Sequence, residues 1–166
     1  MTLSKGVSFH MTDIKPGLVA PDFKLAGFQL SEALKKGSVL LTFYKKTCPI
    51  CQLTYPFFEK IHKYYSGKTF QIIGIAQDPE TKSFSVEYGI TFPMISDTPT
   101  YAVSRQYKLT NVPTAFLVIP DGKIDAITIG FSKGELTTIS SKIASITGKK
   151  SLNLFAGISV PESKPG

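Results

Sequence analysis

Two cysteines separated by two residues, Cys48-Pro49-Ile50-Cys51, carry the clearest chemistry in this sequence. The 166-residue chain has no other cysteine. Two thiols at this spacing, with none left over, favour a redox-active pair over a structural disulfide. In such a pair one thiolate attacks a disulfide, and the second thiol attacks the mixed disulfide that forms. We interpret Cys48 as the nucleophile and Cys51 as the resolving thiol.

The elements around the pair predict a strand that leads into a helix. Val39–Tyr44 is a short run of β-forming apolar residues, which is typical of a strand covered on both faces. Apolar residues then recur at helical spacing at Leu53, Phe57, Ile61 and Tyr64/Tyr65. The free N–H groups and the dipole at a helix N-terminus favour a thiolate. We therefore expect Cys48 to be accessible at the junction and Cys51 to be shielded one turn inside.

The other predicted elements alternate between strands and helices and end in a hairpin. Residues before about Lys15 predict a short hairpin or a mobile arm. Before the cysteine pair, the sequence predicts short strands in Ala20–Leu25 and Phe28–Leu30 and a helical turn at Ser31–Leu34. After the pair's helix, it predicts a strand at Phe70–Ala76 and then a helix with Asp78 as N-cap, Pro79 at the first helical position and Gly89 as C-terminal cap. The remaining predicted elements are a strand at Phe92–Ser96, a helix through Ala102–Tyr107, a hairpin of Ala115–Ile119 and Ile124–Ile129, and a helix over Leu136–Ile146. This order predicts an α/β sandwich with a mixed sheet.

Composition argues against several other classes of function. The net charge is +7, but the lysines are scattered and Arg105 is the single arginine, so no nucleic-acid partner is expected. His10 and His62 are far apart in sequence and complete no four-ligand zinc set, so a metal or copper-chaperone site is disfavoured. We expect no cofactor. No window approaches the length of about 20 apolar residues that a membrane span needs.

The first residues are too polar for a secretory signal peptide. We therefore expect a cytoplasmic protein, or a periplasmic one if the chain is a trimmed form. The sequence becomes rich in Lys, Ser and Pro after Gly148. This change predicts a C-terminal tail at 149–166, although Leu152, Leu154, Phe155 and Ile158 are apolar enough to dock on the body.

Four features together resemble the thioredoxin superfamily, specifically its redoxin branch of AhpC/TSA-type, TlpA/ResA-like thiol-disulfide oxidoreductases. They are the Ala20–Leu25 motif, the Cys48–Cys51 pair after a buried strand, a helix-kinking Pro56, and Asn111–Thr114 before the hairpin. The resemblance implies a thioredoxin-like three-layer sandwich, with a mixed central sheet flanked by helices and an extra N-terminal strand segment. It implies one such domain at 1–148.

The resemblance also implies where substrate binds. Pro113 is expected to be cis and to lie opposite Cys48, and the backbone of Val112 is expected to pair with an extended substrate. Thr47 and Pro49 flank the nucleophile and are expected to contact substrate as well. The implied partners are protein disulfides or dithiols and an upstream thiol reductant or oxidant, with the enzyme a monomer.

The chain departs from the family where acidic groups are usual. Many thioredoxins have a buried carboxylate at the position of Thr42, and some membrane-associated relatives have a Glu at the position of Thr54. The sequence therefore does not select the base that deprotonates Cys51, and the candidates are Glu59, Glu87 and water.

Two lysines precede the motif where a tryptophan is usual. One hypothesis is that Lys45 and Lys46 lower the pKa of Cys48 through their positive charge. The alternative is that both side chains are solvated and change little.

The expected function is reversible dithiol/disulfide exchange that reduces protein disulfides. The alternative is a thiol peroxidase with Cys48 peroxidatic and Cys51 resolving. Peroxiredoxins typically place a Pro and a Thr before their peroxidatic cysteine and use an Arg. Leu41 and Lys45 occupy those two positions here, and Arg105 falls in a predicted helix. Peroxidase activity is therefore the second choice.

Overall fold

A computed structural model describes residues 14–166, so the arm or hairpin predicted before Lys15 lies almost wholly outside the described residues. The strands are β1 (Lys24–Leu25), β2 (Phe28–Gln29), β3 (Ser38–Tyr44), β4 (Phe70–Ala76), β5 (Met94–Ser96), β6 (Thr114–Val118), β7 (Ile124–Ile129), β8 (Phe131–Ser132) and β9 (Ser163–Lys164). The helices are α1 (Leu30–Leu34), α2 (Pro49–Tyr65), α3 (Lys82–Tyr88), α4 (Ala102–Gln106) and α5 (Lys133–Thr147).

The central sheet has five strands in the order β5-β4-β3-β6-β7. Strand β3 is parallel to β4, which is parallel to β5, whereas β6 runs antiparallel to both β3 and β7. All seven residues of β3 are buried, as the continuous apolar run predicts for a strand at the centre. The predicted mixed sheet is confirmed.

Helices cover both faces of this sheet and make three layers. Side chains alternate along β3, so Leu40 and Tyr44 join the core under α2 and α5, while Leu41 and Phe43 join the core under α1 and α4. Strands β1 and β2 form a separate antiparallel pair before α1. The thioredoxin-like sandwich and its extra N-terminal strand segment are therefore as predicted.

The predicted start of α3 is wrong. The helix begins at Lys82 with Thr81 as its N-cap, four residues after the Asp78 that was expected to cap it. The Asp78 carboxylate instead accepts a hydrogen bond from the Lys46 backbone N–H at 2.8 Å, and its carbonyl accepts one from the Ser96 hydroxyl at 2.6 Å. Asp78 is thus held by the Lys46 loop and by Ser96 of β5, and its carboxylate is not free to cap. The predicted strand from Phe92 likewise begins only at Met94.

The segment after α5 folds back onto the body. Leu154 is buried, and Leu152 and Phe155 pack partly buried against the core that α2 and α5 share. The Leu152 N–H donates to the Tyr65 hydroxyl at 2.7 Å, while Ile158 stays 39% exposed. Three of the four apolar residues proposed to dock therefore do so. The division of the chain at 148/149 stays a prediction.

No helix among residues 14–166 has both the length and the apolar character that crossing a bilayer requires.

Candidate active site

Cys48 is the N-cap of α2, and Pro49 occupies the first turn. Proline fits there because the first helical N–H groups have no partner inside the helix. The Cys51 backbone N–H donates to the Sγ of Cys48 at 3.3 Å. A helix-terminal amide aimed at sulfur stabilises a thiolate, as does the positive end of the helix dipole. The predicted position of the pair at a helix N-terminus is confirmed.

The two thiols differ in their surroundings. Cys48 is partly exposed, whereas Cys51 is fully buried, and neither is in a disulfide. Burial raises the pKa of the Cys51 thiol, and the Lys45 backbone N–H only partly opposes this by donating to its sulfur. The neighbouring Cys48 and the Asp78 carboxylate raise the pKa of Cys51 further. Cys51 therefore keeps its proton at neutral pH.

The loop before β6 faces Cys48. The Val112–Pro113 peptide bond is cis, as predicted. The Cys48 thiol donates to the Val112 carbonyl oxygen at 3.5 Å, which places that backbone directly beside the sulfur. Pro113 is buried and its carbonyl accepts a hydrogen bond from the Gly130 N–H at 2.8 Å. An extended polypeptide pairing with Val112 would lie within reach of Cys48.

The loop that precedes α2 is at the surface. Lys45, Lys46, Thr47 and Pro49 are all exposed, and they flank Cys48 on both sides. The Lys46 ammonium lies 3.4 Å from a carboxylate oxygen of Glu80, so part of its charge is engaged away from the sulfur. Hydrogen bonds from Ser83, and to a smaller extent the hydrogen bond and charge of Lys46, lower the pKa of Glu80 to about 2. Glu80 therefore stays ionised as the partner of Lys46.

Thr42 does not substitute for the carboxylate found in many thioredoxins. Its hydroxyl accepts a hydrogen bond from the buried Tyr55 hydroxyl at 2.7 Å and donates to the Ile73 carbonyl at 3.4 Å. The Thr42 hydroxyl is thus part of a closed buried network and has no charge to accept a proton. Among the described residues, Tyr44 carries the one buried side-chain polar atom without a hydrogen-bond partner.

Neither glutamate that the sequence suggested as a base is brought to Cys51. Glu59 lies about two helical turns, roughly 12 Å, farther along α2. Its carboxylate accepts hydrogen bonds from the Thr91 N–H at 2.8 Å and the Thr91 hydroxyl at 2.5 Å. Glu87 is exposed on α3. The Glu59 carboxylate therefore holds the Thr91 loop in place, and the Glu87 side chain faces solvent.

Asp78 is the carboxylate that sequence reasoning missed. It is buried, and its charge raises the pKa of both Cys51 and the neighbouring Tyr44, after the larger effect of burial in each case. Its Asp-Pro context indicated a helix cap. Only the approach of the Lys46 loop to the end of β4 shows that its carboxylate binds the loop that leads into the cysteine pair.

A peroxidase arrangement is not assembled around Cys48. Leu41 is buried in β3, Lys45 is an exposed loop residue, and the Arg105 guanidinium donates to the Thr100 carbonyl. His62, considered above as a metal ligand, instead contacts the Ser66 hydroxyl at 2.8 Å. Within residues 14–166, no group of three or more His, Cys, Asp or Glu side chains is placed to hold a metal ion.

Comparison with known proteins agrees with this geometry. The sequence model of the AhpC/TSA family matches residues 16–127. The chain is 28% identical over 138 residues to the thiol-disulfide oxidoreductase ResA of Bacillus subtilis, covering 78% of this chain and 75% of that protein. It is 30% identical over 126 residues to ResA of Oceanobacillus iheyensis, covering 69% and 65% of the two chains.

Solved structures with the same fold include a Chlorobium tepidum protein assigned as a thiol:disulfide interchange protein DsbE. Its TM-score is 0.71 at 26% identity, and the match covers 81% of this chain and 99% of that one. The thioredoxin domain of a thiol-disulfide oxidoreductase from Bacteroides vulgatus gives a TM-score of 0.65 at 25% identity, covering 78% and 97% of the two chains.

Proposed function

Since the chain belongs to the AhpC/TSA family and is a thiol-disulfide oxidoreductase, we propose that Cys48 is its attacking thiolate and Cys51 its resolving thiol. One observation carries this assignment. The Sγ of Cys48 accepts the Cys51 N–H at 3.3 Å and lies 3.5 Å from the Val112 carbonyl oxygen. The partly exposed sulfur therefore combines a helix-terminal N–H donor with a backbone edge on which a substrate can align.

The proposed reaction has two steps. The Cys48 thiolate attacks one sulfur of a substrate disulfide, the substrate S–S bond breaks, and the departing sulfur takes a proton. Cys51 then loses its proton and attacks Cys48, which releases the second substrate thiol and leaves a Cys48–Cys51 disulfide. Two electrons pass from the enzyme dithiol to the substrate. An upstream thiol reductant must restore the dithiol for the next cycle.

We assign substrate contact to four residues around the sulfur. Val112 offers its backbone, and the buried ring of Pro113 fixes the direction of that backbone. Thr47 and Pro49 are exposed on either side of Cys48, so a bound polypeptide would cover both. Lys45 and Lys46 add positive charge to the same surface, and their proposed role in favouring the thiolate stays a prediction.

We propose that electrons flow toward protein disulfides. Measured against glutathione, a reduction potential of about −270 mV would agree with a reductant, and one of about −120 mV would place the protein with oxidants. A cytoplasmic location and a monomeric state are further predictions, to be checked by fractionation and by sedimentation.

Reduction of insulin by the dithiothreitol-driven protein tests the roles of the two sulfurs. We expect Cys48→Ser to abolish reduction. Reduced beforehand and mixed with insulin in the absence of dithiothreitol, Cys51→Ser should react once and accumulate a mixed disulfide visible as an added mass. A mixed disulfide in Cys48→Ser instead would reverse the assignment. Stopped-flow mixing with hydrogen peroxide tests the peroxidase alternative, since rapid oxidation of Cys48 would favour it.

A further inference from the structure

Residues 162–166 lie against the loop that carries Val112. We call Glu162–Gly166 the strap. The Lys133 N–H donates to the Glu162 carbonyl at 3.0 Å. Strand β9 then pairs antiparallel with β8, with Ser163 opposite Ser132 and Lys164 opposite Phe131. The strap and β8 thus form a two-stranded antiparallel sheet immediately before α5.

The strap ends against the loop that carries Val112. The Asn111 side-chain amide donates to the Gly166 carbonyl at 3.1 Å. A methyl group added at Gly166 would overlap the Val112 carbonyl oxygen and would lie 3.0 Å from the carbonyl carbon. This is the same oxygen that accepts a hydrogen bond from the Cys48 thiol. One carbonyl group therefore contacts both the reactive sulfur and the strap.

The strap packs closely against the backbone of Gly130. Its φ is +67°, and a methyl group there would lie 2.5 Å from the Lys164 carbonyl oxygen and 2.8 Å from the Gly166 nitrogen. Only glycine allows so close an approach at that backbone angle. The Gly130 N–H also donates a hydrogen bond to the Pro113 carbonyl, so the backbone that contacts the strap is bonded to the loop beside Cys48.

We propose that the strap occupies the peptide-binding cleft of the enzyme, so that a protein substrate binds only when the strap is released. This inference rests on the proposed function, because it concerns the same cleft. The partner that fits is an extended polypeptide segment that replaces β9 along β8 and places a small residue against Val112. The edge of β8 thereby extends the substrate surface beyond the cis-proline loop.

The strap is suited to leave and return. All five of its residues are exposed, so backbone hydrogen bonds hold it with little apolar burial. Segments with few buried contacts open most readily. Leu154 stays buried upstream and would keep the released strap close to the cleft. If the closed form is favoured about tenfold, the apparent KM for a competing peptide rises roughly tenfold.

Two variants and one control test this proposal. Gly166→Ala crowds the Val112 carbonyl, and a chain ending at Pro161 removes the strap. Lys164→Ala changes an exposed side chain and keeps the backbone pairing. We expect the first two variants to lower KM for insulin between threefold and tenfold, with Lys164→Ala like the wild type. The rate with hydroxyethyl disulfide, which has no peptide backbone, should be unchanged in all of them.

A synthetic peptide with the sequence of Val160–Gly166 provides the reciprocal test. Added to the shortened chain, it should inhibit insulin reduction competitively while sparing hydroxyethyl disulfide. Unchanged KM in both variants, together with no inhibition by the peptide, would overturn the strap proposal while leaving disulfide exchange intact. A wild type that reduces neither insulin nor hydroxyethyl disulfide would instead overturn the proposed function.

Discussion

Replacing Leu154 with alanine tests whether the segment after α5 belongs to the folded body. The side chain is 2% exposed and lies in the core shared by α2 and α5. Leucine-to-alanine changes in a core cost about 2–5 kcal/mol, the smaller values applying where the surroundings can collapse. Because this segment has a solvent-facing side that can move inward, we expect a loss of about 2–3 kcal/mol in the free energy of unfolding.

Urea unfolding followed by far-ultraviolet circular dichroism measures this loss, since the chain has no tryptophan to report it by fluorescence. With a urea slope of about 2 kcal/mol/M, the midpoint should fall by roughly 1–1.5 M. Ile158→Ala is the matched control in the same segment, because its side chain is 39% exposed. We expect the control to stay within about 0.5 kcal/mol of the wild type.

Equal midpoints for Leu154→Ala, Ile158→Ala and the wild type would refute the reasoning. Residues 149–166 would then be a detached tail in solution, as their Lys-, Ser- and Pro-rich composition first indicated. The strap would also lose its anchor.

Three further predictions concern buried ionisable groups. Glu59→Gln should cost about 1–3 kcal/mol in urea unfolding, because it weakens two charge-assisted hydrogen bonds from Thr91, and it should leave insulin reduction unchanged. Asp78→Asn should lower the pKa of Cys51 and move the pH profile of mixed-disulfide decay to lower pH, because it removes a nearby negative charge. The control Glu80→Gln should leave that profile where it is in the wild type. An unmoved profile in Asp78→Asn would contradict this prediction. Burial raises the pKa of Cys51 above its ordinary 9.0 and the pKa values of Tyr44, Tyr55 and Tyr107 above 10.0. At high pH the folded reduced protein therefore keeps protons that the unfolded chain loses. Its stability should be fully present below about pH 9 and fall above it, less steeply in Cys51→Ser.

Much of the site could be predicted because its signals are local. The spacing of Cys48 and Cys51, the apolar run of β3 and the helical period of α2 are all set by near neighbours in the chain. Such short-range patterns determine which residues start a helix and which face inward. The cis Val112–Pro113 bond followed from a motif and its position before the hairpin.

Asp78 marks where local reasoning stops. An Asp-Pro pair is a good helix start when only its own segment is considered. In the fold, parallel pairing of β3 with β4 brings the Lys46 backbone N–H to the Asp78 carboxylate, and the helix begins at Lys82 instead. A partner 32 residues away in sequence thus took the carboxylate that the local pattern had assigned to capping.

The sequence by itself determined the redox pair, the helix that supports it and the mixed α/β order, since each depends on residues close together in the chain. Only the tertiary structure decided that the Asp78 carboxylate accepts the Lys46 N–H, that the Glu59 carboxylate accepts the Thr91 N–H, and that Gly166 lies against the Val112 carbonyl. The physical reason is that these contacts join segments distant in sequence. No periodicity or composition records which of two distant segments will meet.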